Sequence, residues 1–477
     1  MVIAAGNDIR LRASQASAGN DVELRAGLVT KTGDIDLVSA NDTAYSLTQE
    51  YKKKTGLSTS GGMLSIASAL KAGEQAQSST SVGSQVAADR DATLKAAQDI
   101  NSVGSGVSAG RNVLLNAGRD VNVVAAANSR SNSAWQSESK TGIALSSDSN
   151  GVTAFAGKEK IQEDTRTLAQ TAAASQIQAG QDVSLLAGRD INQRGSDIAA
   201  ERDISLRAER DINLDAARES LLEEESKTKA RTGLTVSVSH NYGNTKDAVQ
   251  GAGQGDNNAS KGSSALKAID AVSQFTSGPS AAVHLGSASQ TSSSSQQTLS
   301  NRASTLEAGR DISAVAGNAL AISGSQLHAG RDISLAGKDV TLDVARGSTA
   351  SDSQQVTRQG GINGGTAGGV KVGIGASYGE ATEAHTQGNS LPTQLQAGRD
   401  ANLKATNDLT LIGTQVTAAR NIDLNAGHDL SIRAASNEYS DESKRHSGGG
   451  EVGLAVGSDG MGSTPFARTL SSKLTSS

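Results

Sequence analysis

The residues of this chain that could do chemistry are regularly spaced aspartates. Each belongs to a short phrase, most often Ala-Gly-Arg-Asp followed by Ile or Val, and successive phrases are separated by 8 and 13 residues in alternation. Recurring carboxylates first suggest calcium, which bacterial β-rolls bind through a Gly- and Asp-rich nonapeptide. Only one Asp recurs in each phrase here, so a structural role at a turn is favoured. The series comprises Asp91, Asp99, Asn112, Asp120, Asp182, Asp190, Asp203, Asp211, Asp311, Asp332, Asp400, Asp408, Asn421 and Asp429.

The arginine that precedes most of these aspartates admits a second interpretation. Stacked Arg and Asp side chains could form a charged ladder that binds an anionic glycan. Solvated turn charges, in which Arg pairs with Asp and offsets the stacking of like charges, explain the same pattern and are favoured. Replacing a stacked pair such as Asp182 and Asp203 should then loosen the stack without abolishing any chemistry.

The other residue types that carry catalysis or bind metals show no useful spacing. The six histidines share no metal-ligand spacing, and the absence of cysteine excludes disulfides, Cys-zinc sites and thiol catalysis. No Gly-x-Ser-x-Gly nucleophile elbow lies between a strand and a helix, and no glycine-rich stretch continues into Gly-Lys-Ser/Thr. We therefore predict a protein that is not an enzyme and that uses no metal and no cofactor.

The elements that position the aspartates are short strands. Apolar residues alternate after each phrase, as in Ile204, Leu206 and Ala208, and a period of 2 indicates a strand with one buried face. The steps of 8 and 13 give a repeat of 21 residues, and the longer step holds a second strand motif, Gly-Ser/Thr-x-Val/Ile/Leu. The sequence therefore predicts an all-β solenoid with about three strands in each coil, in which Asp182 lies over Asp203.

The repeat organises the whole chain, so we expect one elongated body over residues 1–477. Four long insertions and a tail share a plan, in which a polar, charged run meets a glycine and an alternating stretch follows. This pattern predicts β-hairpins that project from the coils. The coil blocks are 1–38, 88–127, 176–217, 304–345 and 395–436; the insertions are 39–87, 128–175, 218–303 and 346–394; the tail is 437–477.

Composition narrows the possible partners and locations. The net charge is −5 and no Lys/Arg cluster is interleaved with aromatic residues, so nucleic acid is not expected as a partner. The first residues enter a repeat at once, without the basic and apolar regions of a signal peptide. We expect a cytosolic chain or, as the favoured alternative, a piece of a longer protein.

The phrases, the Gly-Ser-x-Leu-x-Ala-Gly links and the Lys-Thr-Gly-Leu insertions together resemble the hemagglutinin-repeat region of filamentous hemagglutinin-like exoproteins. These exoproteins are secreted by two-partner systems and include toxin-bearing effectors of contact-dependent growth inhibition. The resemblance implies a right-handed parallel β-helix on the surface of a Gram-negative bacterium. It also implies three kinds of partner: a target-cell receptor or glycan, the outer membrane of a neighbouring bacterium, and an outer-membrane transporter for the full-length protein.

Three functions remain open at this point. The favoured one is a stalk or adhesin segment that mediates cell contact or presents a distal toxin. The first alternative is a toxin-translocation segment that engages the target outer membrane, because alternating, weakly charged hairpins are also typical of membrane-spanning strands. The second alternative is a polysaccharide-processing β-helix enzyme, which would need carboxylates outside the repeat clustered on one face.

Overall fold

The computed structural model describes residues 1–29, 31–60, 63–148, 151–239, 280–366, 370–456 and 463–476. These residues form 39 strands in four sheets, and they contain no helix. Three of the sheets are parallel and together build a solenoid, so the predicted all-β parallel β-helix is confirmed. We call the parallel sheets A, B and C, and we call the fourth, antiparallel sheet the hairpin sheet.

Each coil contributes one strand in turn to sheets A, B and C. Sheet A contains β1 (Val2–Ala4), β4 (Val22–Ala26), β9 (Ala92–Ala96), β12 (Val113–Ala117), β17 (Val183–Ala187), β20 (Ile204–Ala208), β25 (Ile312–Ala316), β28 (Ile333–Gly337), β33 (Asp400–Ala405) and β36 (Asn421–Ala426). Sheet B contains β2 (Ile9–Arg12), β5 (Ile35–Val38), β10 (Ile100–Val103), β13 (Val121–Val124), β18 (Ile191–Arg194), β21 (Ile212–Asp215), β26 (Ala319–Ser323), β29 (Asp339–Asp343), β34 (Leu409–Ile412) and β37 (Leu430–Arg433). Sheet C contains β3 (Gln15–Ala18), β8 (Gln85–Ala88), β11 (Gly106–Ala109), β16 (Gln176–Ala179), β19 (Asp197–Ala200), β24 (Thr305–Ala308), β27 (Gln326–Ala329), β32 (Gln394–Ala397) and β35 (Gln415–Ala418).

The alternating apolar residues line the interior of the solenoid. Ile204, Leu206 and Ala208 of β20 are buried, whereas Ser205 and Arg207 between them are not. Each inward residue lies over its equivalent in the next coil, and Leu206 pairs with Leu185 of β17. The interior is therefore a set of aliphatic stacks, which explains how the coils close with so few aromatic residues.

The corner between sheets B and C has two forms that alternate along the stack. In every second coil the chain turns at a glycine whose φ is 56–57°, at Gly104, Gly195, Gly324 and Gly413. Ala13 takes the same corner in the first coil, with φ of 44°. In the other coils an insertion occupies the corner, because each insertion leaves after a strand of sheet B and the first four return before a strand of sheet C.

The insertions are hairpins of long strands, and these hairpins pair with one another. Their strands are β6 (Ala40–Ser60), β7 (Met63–Val82), β14 (Ala126–Asp148), β15 (Gly151–Ala173), β22 (Ala217–Ser239), β23 (Ser280–Arg302), β30 (Ala345–Gly365), β31 (Val370–Leu391), β38 (Tyr439–Val456) and β39 (Ser463–Ser476). Neighbouring hairpins are joined by the pairs β7–β14, β15–β22, β23–β30 and β31–β38. The five projections expected from the sequence are thus one continuous ten-stranded sheet.

The geometry of the coils explains why the hairpins meet edge to edge. Strands in a sheet lie about 4.8 Å apart, so two coils advance the stack by about 9.6 Å. A two-stranded hairpin occupies the same width. One hairpin at every second corner therefore matches the rise of the solenoid, and the hairpin sheet continues along the stack without a gap.

Candidate functional site

The recurrent aspartates lie in two ladders along the solenoid, one at the start of the sheet A strands and one at the start of the sheet B strands. The steps of 8 and 13 are the distances from ladder A to ladder B and back. Ladder A holds Asp91, Asn112, Asp182, Asp203, Asp311, Asp332, Asp400 and Asn421. Ladder B holds Asp99, Asp120, Asp190, Asp211, Asp408 and Asp429. The predicted site residues are therefore brought together in two lines rather than in one cluster.

Each ladder carboxylate bonds to the neighbouring coil, which corrects the expectation that it bonds to its own turn. Asp120 shows the arrangement: one of its oxygens accepts the Nε–H of Arg189 at 2.7 Å and the backbone N–H of Asp190 at 3.2 Å. The Asp120 side chain is only 10% exposed. The parallel stacking of coils places the next backbone N–H above the carboxylate, so the bond runs between coils and not within a turn.

Arginine compensates the stacked negative charges. The guanidinium of Arg310 bonds to Asp203, and this hydrogen bond lowers the pKa of the Asp203 carboxyl. Arg399 lowers the pKa of Asp332 in the same way. These carboxylates are committed to holding coils together, and the arrangement supports the structural interpretation over a free anionic or cation-binding ladder.

The ladders also contain members that the site prediction left out. Asp21, Asp34 and Asp339 accept backbone N–H groups in the same way, and the regular metre already pointed to them. Ladder B is interrupted where Ala319 replaces an aspartate. There Asp211 of the coil before receives the Ala319 N–H and the side-chain amide of Asn318.

The last step of ladder B replaces arginine by histidine. The Nδ1 of His428 lies 3.0 Å from Asp408 and 3.4 Å from Asp429, and the hydrogen bond to Asp408 raises the pKa of the histidine. The ligand atoms of these three residues all lie within 4.8 Å of one another, so they are able to hold a metal ion. His428 and Asp429 are exposed, and the geometry equally follows from His428 taking the place of a ladder arginine.

A third ladder of small hydroxyl residues runs inside the corner between sheets B and C. Ser105 shows its pattern: the hydroxyl oxygen accepts the N–H of Ser84 at 3.0 Å and the hydroxyl donates to Val103. The sequence motif Gly-Ser/Thr revealed these residues as strand starts but not as a hydrogen-bonded series. The buried members are Ser84, Ser105, Ser175, Ser196, Ser304, Ser325 and Thr393.

One face of the hairpin sheet carries exposed apolar residues, in the half of the hairpins that is farther along the strands from the solenoid. We call them the apolar rows, because paired residues of neighbouring strands form lines across the sheet. The most exposed members of the first row, Ile374 and Val452, are 67% and 66% exposed. The first row holds Leu64, Ile143, Ala156, Leu234, Leu285, Ile362, Ile374, Val452 and Ala467. The second holds Leu145, Ala154, Val236, Val283, Val372 and Leu454.

A line of glycines crosses the sheet beside the first apolar row. Three of them, Gly142, Gly233 and Gly361, are glycines of the insertion motif, which the structure therefore places side by side. A β-carbon on Gly233 would lie 2.3 Å from the carbonyl oxygen of Ala156, so only glycine allows this close approach of strands. The complete line is Gly142, Gly157, Gly233, Gly286, Gly361 and Gly375.

The opposite face of the same half is more enclosed. Met63 and Phe155 are buried there, and Arg231 bonds to Glu159 at 2.5 Å while lying over the Phe155 ring. The sheet thus presents its apolar rows outward on one face and covers its larger side chains on the other. Among the described residues, no helix is long and apolar enough to cross a membrane.

The fold and the paired insertions define the class of protein: a parallel β-solenoid built from two-coil units, each carrying hairpins. The hemagglutinin-repeat family matches residues 67–169, 156–278, 285–391 and 374–473. Each match contains one complete two-coil block with hairpin strands on both sides, so the family repeat is the same unit that the structure shows. The chain belongs to this family and is a segment of a filamentous hemagglutinin-like exoprotein.

A curated protein, the deoxyribonuclease CdiA of Dickeya dadantii (strain 3937), is similar to part of the chain. The two are 29% identical over 108 residues, which is 22% of this chain and 3% of that protein. The chain therefore matches only a small fraction of that relative's length. No solved structure matches the chain.

Proposed function

We propose that the chain is a non-enzymatic structural segment of a cell-surface exoprotein from a Gram-negative bacterium, which mediates cell contact or presents a distal toxin. The exposed apolar rows of the hairpin sheet are the observation that carries this proposal. A contiguous apolar patch on a protein surface marks a contact site for a protein or a membrane. The match to a small part of a deoxyribonuclease supports a role in carrying such an activity and not in performing it.

The solenoid suits the role of a rigid spacer. Its ten coils extend for about 50 Å at the strand spacing of about 4.8 Å, and they are joined by continuous backbone hydrogen bonds and by the aspartate ladders. An outer-membrane transporter of a two-partner system is the partner that we propose for the export of the full-length protein. The ladders leave the carboxylates bonded between coils, which favours a mechanical role over the polysaccharide-processing alternative.

The hairpin sheet suits the role of the contact surface. Equivalent residues recur in five neighbouring hairpins, so the same weak contact is offered several times along one surface. Weak sites that act together bind far more tightly than each does alone. The target is a receptor or glycan of the neighbouring cell.

The apolar rows favour a second candidate, in which the hairpin sheet engages the outer membrane of the target bacterium and assists toxin passage. Alternation of outward apolar residues with residues of the other face is typical of strands that contact lipid. Leu285, Ile374 and Val452 are more than half exposed and lie in one row, so lipid acyl chains would cover a surface that is otherwise in water.

Protease protection tests this membrane contact. The purified chain is mixed with Gram-negative outer-membrane vesicles and treated with trypsin, and cleavage is compared at Lys158 and Lys371 beside the apolar rows and at Arg207 in the solenoid. We expect protection at Lys158 and Lys371 that detergent reverses. The double variant Val372→Ser, Ile374→Ser should lose this protection, whereas Val315→Ser, an exposed apolar residue of the solenoid, should retain it.

Unchanged cleavage with vesicles would reject the membrane candidate and leave the adhesin proposal to a second measurement. In that measurement the labelled chain is titrated onto intact Gram-negative cells. Saturable binding that protease treatment of the chain abolishes is the expected result. No binding to any of the cells tested would contradict a contact role for the segment.

A further inference from the structure

The one tryptophan of the chain lies on the hairpin sheet, in the half nearer the solenoid, and no function described above uses it. Trp135 is 39% exposed and pairs across strands with Gly73. A β-carbon on Gly73 would lie 2.6 Å from the indole Nε1, so the glycine makes room for the ring to lie against the neighbouring strand. Gly73 thus holds an exposed aromatic ring in a fixed place.

Polar side chains continue from Trp135 across the sheet in one row. Asp164 is paired directly with Trp135, and Ser226 is paired with Asp164. The row then runs through Ser293, Gln354 and Thr382 on the next three strands. All six residues line one open groove of about 760 Å³. An aromatic ring at one end and a line of hydroxyl, amide and carboxylate groups beside it is a combination that suits a polar ligand with apolar faces.

The Asp164 carboxylate is the polar group of this row best placed to bind a ligand. It is adjacent to the indole, and within the described ranges no hydrogen bond or ion pair engages it. Gln354, in contrast, donates to Glu380 at 2.6 Å. An available acceptor beside an exposed aromatic face is the arrangement in which a sugar ring stacks its C–H groups on the indole while a hydroxyl donates to the carboxylate.

The charge of the groove selects among glycans. Asp164, Glu224 and Asp352 line it, together with a single cation, Arg166, whose NH1 is 3.6 Å from Glu224. The negative excess disfavours sulfated or carboxylated sugars, because like charges repel in a partly desolvated site. The row presents one polar group per strand at a spacing of about 4.8 Å, which is close to the length of one unit of an extended oligosaccharide.

We propose that the groove beside Trp135 binds a neutral oligosaccharide, which lies across the strands with one sugar stacked on the indole and hydrogen-bonded to Asp164. The site rests on the proposed function in that it names the class of cell-surface molecule that the hairpin sheet contacts. It is separate from the apolar rows, so each contact can be tested without the other.

The single tryptophan makes the test direct, because all indole emission of the chain comes from the site. Neutral tetrasaccharides (chitotetraose, cellotetraose and maltotetraose) are titrated into the full chain, with a heparin tetrasaccharide and choline as anionic and cationic comparators. We expect a saturable change of emission with at least one neutral tetrasaccharide and none with heparin. Asp164→Asn should weaken the affinity about tenfold, as expected for loss of one hydrogen bond to a charged group.

Calorimetry with the same sugar extends the test to variants without the indole. Trp135→Ala should abolish measurable binding, and Trp135→Phe should restore part of it. Tyr45→Ala removes another exposed aromatic residue of the sheet, outside the groove, and should leave the affinity unchanged. Matching melting curves for the four proteins exclude unfolding as the cause.

Three results would overturn the proposal: no emission change with any neutral tetrasaccharide, equal affinity in Trp135→Ala, or saturation by choline alone, which would indicate a site for an ammonium group. Cell binding of the Trp135→Ala variant separates this outcome from failure of the proposed function. Loss of sugar binding with cell binding retained leaves the contact role intact through the apolar rows. Loss of cell binding in the unaltered chain rejects the contact role itself.

Discussion

Arg189 and Asp120 lie 69 residues apart in the sequence, yet the arginine Nε–H donates to the aspartate carboxylate at 2.7 Å. A whole hairpin, β14 and β15, is inserted between them. The pair forms because each hairpin leaves the solenoid and returns to it at one corner, so the coil continues as if the insertion were absent. The ladder contact therefore depends on the repeat and not on sequence distance.

Removing one ladder carboxylate should loosen the stack at that coil. In Asp120→Ala the backbone N–H of Asp190 loses its side-chain acceptor and Arg189 loses its partner. We expect the free energy of unfolding to fall by about 1–3 kcal/mol, the cost of leaving a largely buried donor unsatisfied. The midpoint of urea denaturation measures it. Glu307→Ala, an exposed acid of β24 outside the ladders, is the control and should change the midpoint little.

The ladders should make the solenoid sensitive to acid. Hydrogen bonds from Arg310 and Arg399 lower the pKa values of Asp203 and Asp332 in the folded state. The stability that these groups contribute is present above the ordinary aspartate pKa of about 4 and is lost as the pH falls below it through the lowered values. Melting temperature measured from pH 6 to pH 2 should drop in this window. The double variant Asp203→Asn, Asp332→Asn should show a shallower drop, and an identical pH profile would contradict the assignment.

The histidine at the end of ladder B should respond in the opposite direction. The hydrogen bond to Asp408 raises the pKa of His428 above its ordinary value of about 6.5. Its contribution to stability is therefore present below about pH 6.5 and is lost as the pH rises through the raised pKa. Titration of the imidazole by NMR should show the raised value in the unaltered chain and a return towards 6.5 in Asp408→Asn. Equal values in both proteins would show that the ladder contact does not hold the histidine.

The glycine corners should tolerate no side chain. Gly195 has φ of 57°, and a β-carbon there would lie 2.3 Å from the β-carbon of Ala217. Gly195→Ala should lower stability by about 1–2 kcal/mol from the left-handed conformation alone, with the clash in addition. Gly19→Ala is the matched control, because the nearest atom to its new β-carbon would be 3.6 Å away. Equal urea midpoints for the two variants would contradict the role of the corner.

The sequence predicted the solenoid because its signals are local and periodic. The alternation at Ile204, Leu206 and Ala208 fixes the buried face of one strand, and the repeat of 21 residues fixes the register with the next. The identity of the ladder residues followed from the same metre. The bond from Asp120 to the next coil was not foreseen, because a turn residue that bonds to its own backbone gives the same one-residue signal.

The hairpin sheet could not be read in the same way. Each insertion shows its own alternation, but the pairing of Gln162 with Thr228 joins two insertions that are separated by two coils. That contact depends on the equality between the rise of two coils and the width of one hairpin, which no single segment encodes. The Trp135 groove was missed for the same reason, since Gly73, Asp164 and Ser226 come from three different hairpins.

The pairing between hairpins is the central claim of this account, and a disulfide cross-link tests it most directly. The chain has no cysteine, so Gln162→Cys with Thr228→Cys places the only two thiols on the neighbouring strands β15 and β22. Paired positions on adjacent strands lie within disulfide reach. We predict rapid, complete cross-linking within one chain under mild oxidation, and little cross-linking for Gln162→Cys with Lys229→Cys, whose side chains face opposite sides. Equal and slow cross-linking of both pairs would show that the hairpins project separately, and it would contradict the continuous sheet on which the proposed contact surface depends.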